Sequence, residues 1–137
     1  MEPVNYQSQN LQSNLPQSMA VIPEQSVEIS LDDELEVLRN SPEWQTGIAR
    51  KKLIQYPDFQ MTLRRMKPNT RIPEHYNPGR ICVQTVFGHI RMHAGGRTFD
   101  LPGGRCLVLD RAVIHDVEAI EESGFLLTVA RNEAGTQ

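Results

Sequence analysis

Cysteine is scarce in this 137-residue chain, which carries two, and aromatic residues make up only 6% of it. No block of like charge occurs, and the formal net charge is −3. A weakly acidic balance without a basic run lacks the electrostatic footprint that nucleic-acid binding needs. No apolar run approaches the roughly 20 residues of a membrane-spanning helix. The N-terminus carries Glu2 and no basic-then-apolar pattern, so no export signal is read and a cytoplasmic location is expected. In a reducing compartment, Cys82 and Cys106 read as buried free thiols and not as a disulfide, since each sits in an alternating apolar stretch. There is no glycine-rich phosphate loop and no serine nucleophile elbow.

What is present suits one globular domain with a polar tail: 39% hydrophobic and 23% charged residues. Residues 1–28 form the tail, rich in Gln, Ser and Asn, with Leu15, Met19, Val21 and Ile22 isolated among them. Such a composition cannot bury a core of its own. The domain is expected over 29–137. Ser30, with Asp33 three residues on, opens a helix over about 30–40. Leu31, Leu35 and Leu38 give it one apolar stripe, and Asn40-Ser41-Pro42 ends it. Trp44 then reads as a packing residue. A helix this short needs a surface to lie on. So do the apolar residues of the arm, and a small barrel has edge strands to cover. Together these predict a homodimer in which the arm pairs with a neighbouring barrel.

From about residue 49 to 131 the pattern is of strands and turns. Alternation predicts strands at Phe59–Met66, Arg71–His75, Arg80–Phe87, His89–His93, Arg97–Leu101, Arg105–Leu109, Ile114–Ala119 and Phe125–Ala130. Lys67-Pro68-Asn69, Tyr76-Asn77-Pro78-Gly79, Gly95-Gly96 and Pro102-Gly103-Gly104 supply the turns. Many short strands at regular spacing indicate an all-β antiparallel sandwich or barrel.

Ten positions within this region resemble the two signature motifs of the cupin superfamily. The family's first motif has Gly, His, His, Glu and Gly at fixed spacings, and here those slots hold Asn69, His75, Asn77, Ile81 and Gly88. Its second has Gly, Pro, Gly, His and Asn, and here they hold Gly104, Asp110, Ala112, His115 and Ala119. His75, Gly88, Gly104 and His115 match. The resemblance covers roughly Lys51 to Ala130 and implies a jelly-roll β-barrel preceded by the short helix and arm. Asn69 can take the left-handed turn conformation of the Gly it replaces.

In metal-binding cupins, two His and the Glu of the first motif and the His of the second point into the barrel. The resemblance therefore implies His75 and His115 as the candidate metal ligands. Asn77 offers only a neutral amide oxygen and Ile81 nothing. Two readings follow. One is a small-molecule-binding domain with a weak or absent metal site, lined by His75, Tyr76, Asn77, Arg80, Gln84 and His115. The alternative is a metal-dependent enzyme of the dioxygenase or isomerase kind, using Fe, Mn, Ni or Zn on His75 and His115. Gln84 is the candidate third ligand, although alternation from Ile81 puts it on the opposite face. Tyr76 and Arg80 would flank the mouth and hold an anionic or carbonyl group. Glu74 reads as solvated, and His89 and His93 as outward-facing residues beside Arg91.

Overall fold

The computed structural model describes residues 25–132. The polar arm up to residue 24, and the dimer contacts expected of it, lie outside the described residues. Helix α1 spans Leu31–Arg39. Its start is set by Ser30, whose Oγ accepts the Asp33 N–H at 3.2 Å. Asp32, Asp33 and Glu34 fill the first turn, where the helix dipole favours negative charge. Leu35 and Leu38 are buried. A 3-10 helix, Pro42–Thr46, follows and ends on Gly47 in a left-handed conformation.

Nine strands follow among the described residues: β1 (Ile48–Gln55), β2 (Phe59–Met66), β3 (Arg71–His75), β4 (Arg80–Phe87), β5 (His89–Ala94), β6 (Arg97–Pro102), β7 (Cys106–Leu109), β8 (His115–Ala119) and β9 (Ser123–Ala130). They form two antiparallel sheets, ordered β1-β2-β9-β4-β7 and β3-β8-β5-β6. Residues from both sheets, among them Met66, Ile81, Val83, Ile90, Met92, Val117, Phe125 and Val129, meet in the core between them. A second core lies on the outer side of the larger sheet, where Leu35 and Leu38 of α1 cover Ala49, Leu53, Leu63 and Leu126. Trp44 packs there too, with the Arg65 guanidinium 5.8 Å and the Lys67 ammonium 5.3 Å from its ring centre.

Three sequence expectations are corrected. The strand-and-turn region begins at about residue 49 in the sequence pattern, with no strand assigned before Phe59, yet β1 is there and pairs with β2 along its length. A register shift between Lys52 and Ile54 breaks its alternation, so Leu53 and Ile54 are both buried. The cysteines are not core residues: Cys106 is exposed and Cys82 half-buried, on the outer face of the β4–β7 pair. Ile114 lies before β8 and is 57% exposed. Gly88 has its own necessity. With φ at +84°, it turns β4 into β5 where a Cβ would drive into the Glu122 carbonyl and the Ser123 side chain.

Candidate functional site

Two turns at one end of the barrel carry the candidate residues. The first, 76–79, joins β3 to β4, and the second, 110–114, joins β7 to β8. They are tied to each other. The Ala112 N–H donates to the Asn77 carbonyl at 2.9 Å, and the exposed Arg80 Nε donates to Asp110 Oδ1 at 3.0 Å. The Arg111 N–H and the Arg80 guanidinium together hold the Asp110 carboxyl below its usual range. Ala112, standing where the family motif has Gly, adopts φ +61°, and Asn69 adopts φ +66°.

His75 ends β3 and His115 begins β8, and the two are direct cross-strand partners. Their ring centres are 4.3 Å apart, with planes inclined at 61°. His115 is buried, at 4% exposure, while His75 is exposed at the rim. Each ring is fixed in the same way. Nδ1 of His75 lies 2.8 Å from the Pro73 carbonyl oxygen, and Nδ1 of His115 lies 2.8 Å from that of Val113. A carbonyl oxygen can only accept, so both Nδ1 atoms carry the proton in these bonds. In the neutral form of either ring, Nε2 is then left as an acceptor or ligand atom, the tautomer a metal or a hydrogen-bond donor would meet. Burial pushes the pKa of His115 down. The neighbouring His75 adds to that, while the Val113 carbonyl and Asp116 oppose it. Its ring is therefore neutral at pH 7.

The other candidates do not join this pair as a ligand set. The Asn77 Oδ1 accepts the Gly79 N–H at 2.8 Å, which commits the amide oxygen to the turn. Ile81 is 3% exposed and part of the core. Gln84 is exposed on the side of β4 opposite Ile81, Val83 and Thr85, away from the barrel interior. Tyr76 is 62% exposed. The charge of Arg80, expected to face a ligand, is partnered by Asp110. Glu74 is exposed, and His89 donates to Asp100 at 2.9 Å on the outer face of the smaller sheet.

A residue passed over in the sequence stands behind the pair. Asp116 points to the opposite side of β8 from His115, with its side chain 4% exposed. Its carboxylate accepts from the Arg71 guanidinium at 2.7 Å and from both the backbone N–H and Nδ1 of His93 at 2.9 Å. No sequence signal marks it, because an Asp in a strand next to a turn reads as solvated.

A transition metal of the kind the cupin motifs imply needs three or four ligands. The chain offers two imidazole nitrogens, a turn-bound amide and an isoleucine. Among the described residues no three His, Cys, Asp or Glu side chains gather to hold an ion. This donor set does not fit a metal site completed by protein ligands.

No family model matches the sequence, and no curated protein does. Solved structures do match. A conserved protein of unknown function from Streptococcus pyogenes is 22% identical with a TM-score of 0.68, covering 85% of this chain and 99% of that one. A cupin superfamily protein from Desulfitobacterium hafniense superposes with a TM-score of 0.65 at 15% identity, covering 81% of this chain and 95% of that one. A cupin 2 conserved barrel domain protein from Leptotrichia buccalis is 25% identical with a TM-score of 0.63, covering 70% of this chain and 45% of that one. The chain has the cupin fold. At these identities the likeness carries the architecture of the chain and not an activity, because one fold hosts many chemistries.

Proposed function

We propose that this cupin binds a small molecule at the His75–His115 pair, without a tightly held metal. One observation carries the reading. Both Nδ1 atoms are tied to backbone carbonyls, so both Nε2 lone pairs are kept for an external partner. With His115 neutral and Ile81 and Asn77 unable to complete a metal shell, that partner is a hydrogen-bond donor, such as a hydroxyl or amine.

Two measurements on untagged protein test this. Elemental analysis is expected to give clearly less than one transition metal per chain. A thermal-shift screen of hydroxylated and amine-bearing metabolites is expected to yield a ligand whose stabilisation is lost in His115→Phe. Stoichiometric Fe, Mn, Ni or Zn that survives mild chelation would overturn the reading in favour of a metal-dependent enzyme. A ligand that stabilises His115→Phe as well as wild type would remove the pair from the site.

A further inference from the structure

On the helix-facing side of the β1–β2 pair, the strand cations have carboxylate partners. Lys51 Nζ lies 2.6 Å from Glu34 Oε1, and Arg65 is held by Glu122 at 2.6 Å. The barrel-facing side is different. Ile48 and Met66 lie against the inner core, so the residues alternating with them along the two strands, Arg50, Lys52, Thr62 and Arg64, share that side. Arg50 is the direct cross-strand partner of Arg64, and Lys52 that of Thr62. Three cations and a hydroxyl thus form one cluster on two strands. Like charges directly opposite one another destabilise a sheet.

No direct ion pair in the described chain relieves this. Among the described residues, none of Arg50, Lys52 and Arg64 forms an ion pair, although the chain has 17 acidic residues against 14 basic ones. Glu43 is the nearby acid. Its Oε1 accepts the main-chain N–H of Arg50 at 3.1 Å instead of bridging the guanidinium groups. Arg64 is half-buried, whereas Arg50, on the edge strand, is exposed. Burial first, and then the Arg50 charge, push the pKa of Arg64 down, with Glu43 opposing. A half-buried guanidinium facing another cation is a costly arrangement for stability alone. It becomes favourable once an oxyanion sits between the two forks, which match carboxylate and phosphate oxygens.

We propose that the Arg50–Lys52–Arg64 face binds a small oxyanion-bearing molecule, with Arg64 as its anchor and Thr62 as a neutral donor. The clustering on the barrel-facing side, and the absence of any longer basic run, point to a small ligand and not to a polymer. The site is independent of the His75–His115 reading, since it shares no residue with it.

Thermal unfolding of the full-length protein tests the proposal at constant ionic strength, in chloride, in inorganic phosphate and in citrate. Phosphate, citrate or both are expected to raise the melting temperature saturably beyond chloride. A response to phosphate alone assigns phosphate chemistry, and a response to citrate alone assigns carboxylate chemistry. Arg64→Met is expected to weaken the anion response about tenfold or more, as loss of a bidentate contact should. In chloride the same variant should melt at or above the wild-type temperature, because it removes a like-charge contact. Lys51→Met, on the other face, should keep the full response. The proposal fails if neither anion gives a saturable rise. It fails equally if Arg64→Met responds as wild type does, or if that variant melts lower in chloride, which would make Arg64 a structural residue.

Discussion

Replacing Gly88 with Ala should cost this barrel far more than the same change at Gly96, and the difference can be worked from the structure. Both glycines have positive φ, +84° and +79°, so each substitution forces an L-residue into the left-handed region at about 1–2 kcal/mol. At Gly96 that is the whole cost, because no heavy atom lies within 4 Å of the added Cβ. At Gly88 the Cβ runs into the Glu122 carbonyl oxygen and Ser123 Oγ, and lies 2.7 Å from Ser123 Cα. Backbone cannot yield as a flexible side-chain tip can. Ser123 is fully buried, accepts the His89 N–H at 2.9 Å and donates to the Glu121 carbonyl at 2.8 Å. Moving it forfeits two hydrogen bonds worth about 1 kcal/mol each. Gly88→Ala should therefore lose about 3–4 kcal/mol, a large part of the roughly 5–15 kcal/mol that holds an ordinary domain. Urea unfolding followed by far-UV circular dichroism measures both variants, with an unchanged m-value as the check that only stability moved. Equal losses at the two positions would refute the steric argument and leave only the backbone one.

Two smaller changes are predicted to act in opposite directions. Ala112→Gly should raise stability by up to about 1 kcal/mol, since it relieves the left-handed strain at φ +61° against a smaller entropic cost of glycine; a lower melting temperature would contradict this. Burial alone would raise the pKa of Asp116, but its hydrogen bonds from Arg71 and His93 outweigh burial and the net shift is downward. A carboxyl with a lowered folded pKa contributes stability that is present above its unfolded pKa of about 4 and is lost as pH falls through the folded value. Asp116→Asn should then cost about 2 kcal/mol at pH 7 and remove that acid-sensitive increment. Urea titrations at pH 7 and pH 3 compare the two, and an undiminished stability at pH 7 would show that the carboxylate bonds are not structural.

The barrel was legible where each strand has one apolar face. β5 shows this plainly, with Ile90, Met92 and Ala94 buried and Arg91 and His93 on the outer side. β1 was hidden because Arg50, Lys51 and Lys52 mask the period and a bulge then shifts it. The cysteines were misplaced for a different reason. In β7 every residue, Cys106-Leu107-Val108-Leu109, is apolar, so composition cannot say which face is inward. Leu109 is buried, whereas Val108 is 66% exposed on the same outer face as Cys106. The helix was read closely, because capping chemistry and a three-four spacing are local properties that need no knowledge of partners.

The site divides along the same line. Motif spacing identified His75 and His115, and a strand register makes them neighbours, but what each ring does is decided by the Pro73 and Val113 carbonyls two residues before them. Main-chain partners leave no mark in side-chain identity. Arg50 and Arg64 were equally invisible, because their adjacency depends on the register of a strand that was not predicted. The two clusters share no residue and offer different chemistry. A bound metal would supply positive charge to an anionic ligand, but Ile81 fills the carboxylate slot that such a metal would use, and it does so at 3% exposure, where an uncompensated Glu would be costly. A neutral His115 ring cannot replace that charge. An anionic ligand would need its counter-charge from side chains, and that is what the proposed Arg50–Lys52–Arg64 face would supply at its own site, separate from the histidine pair.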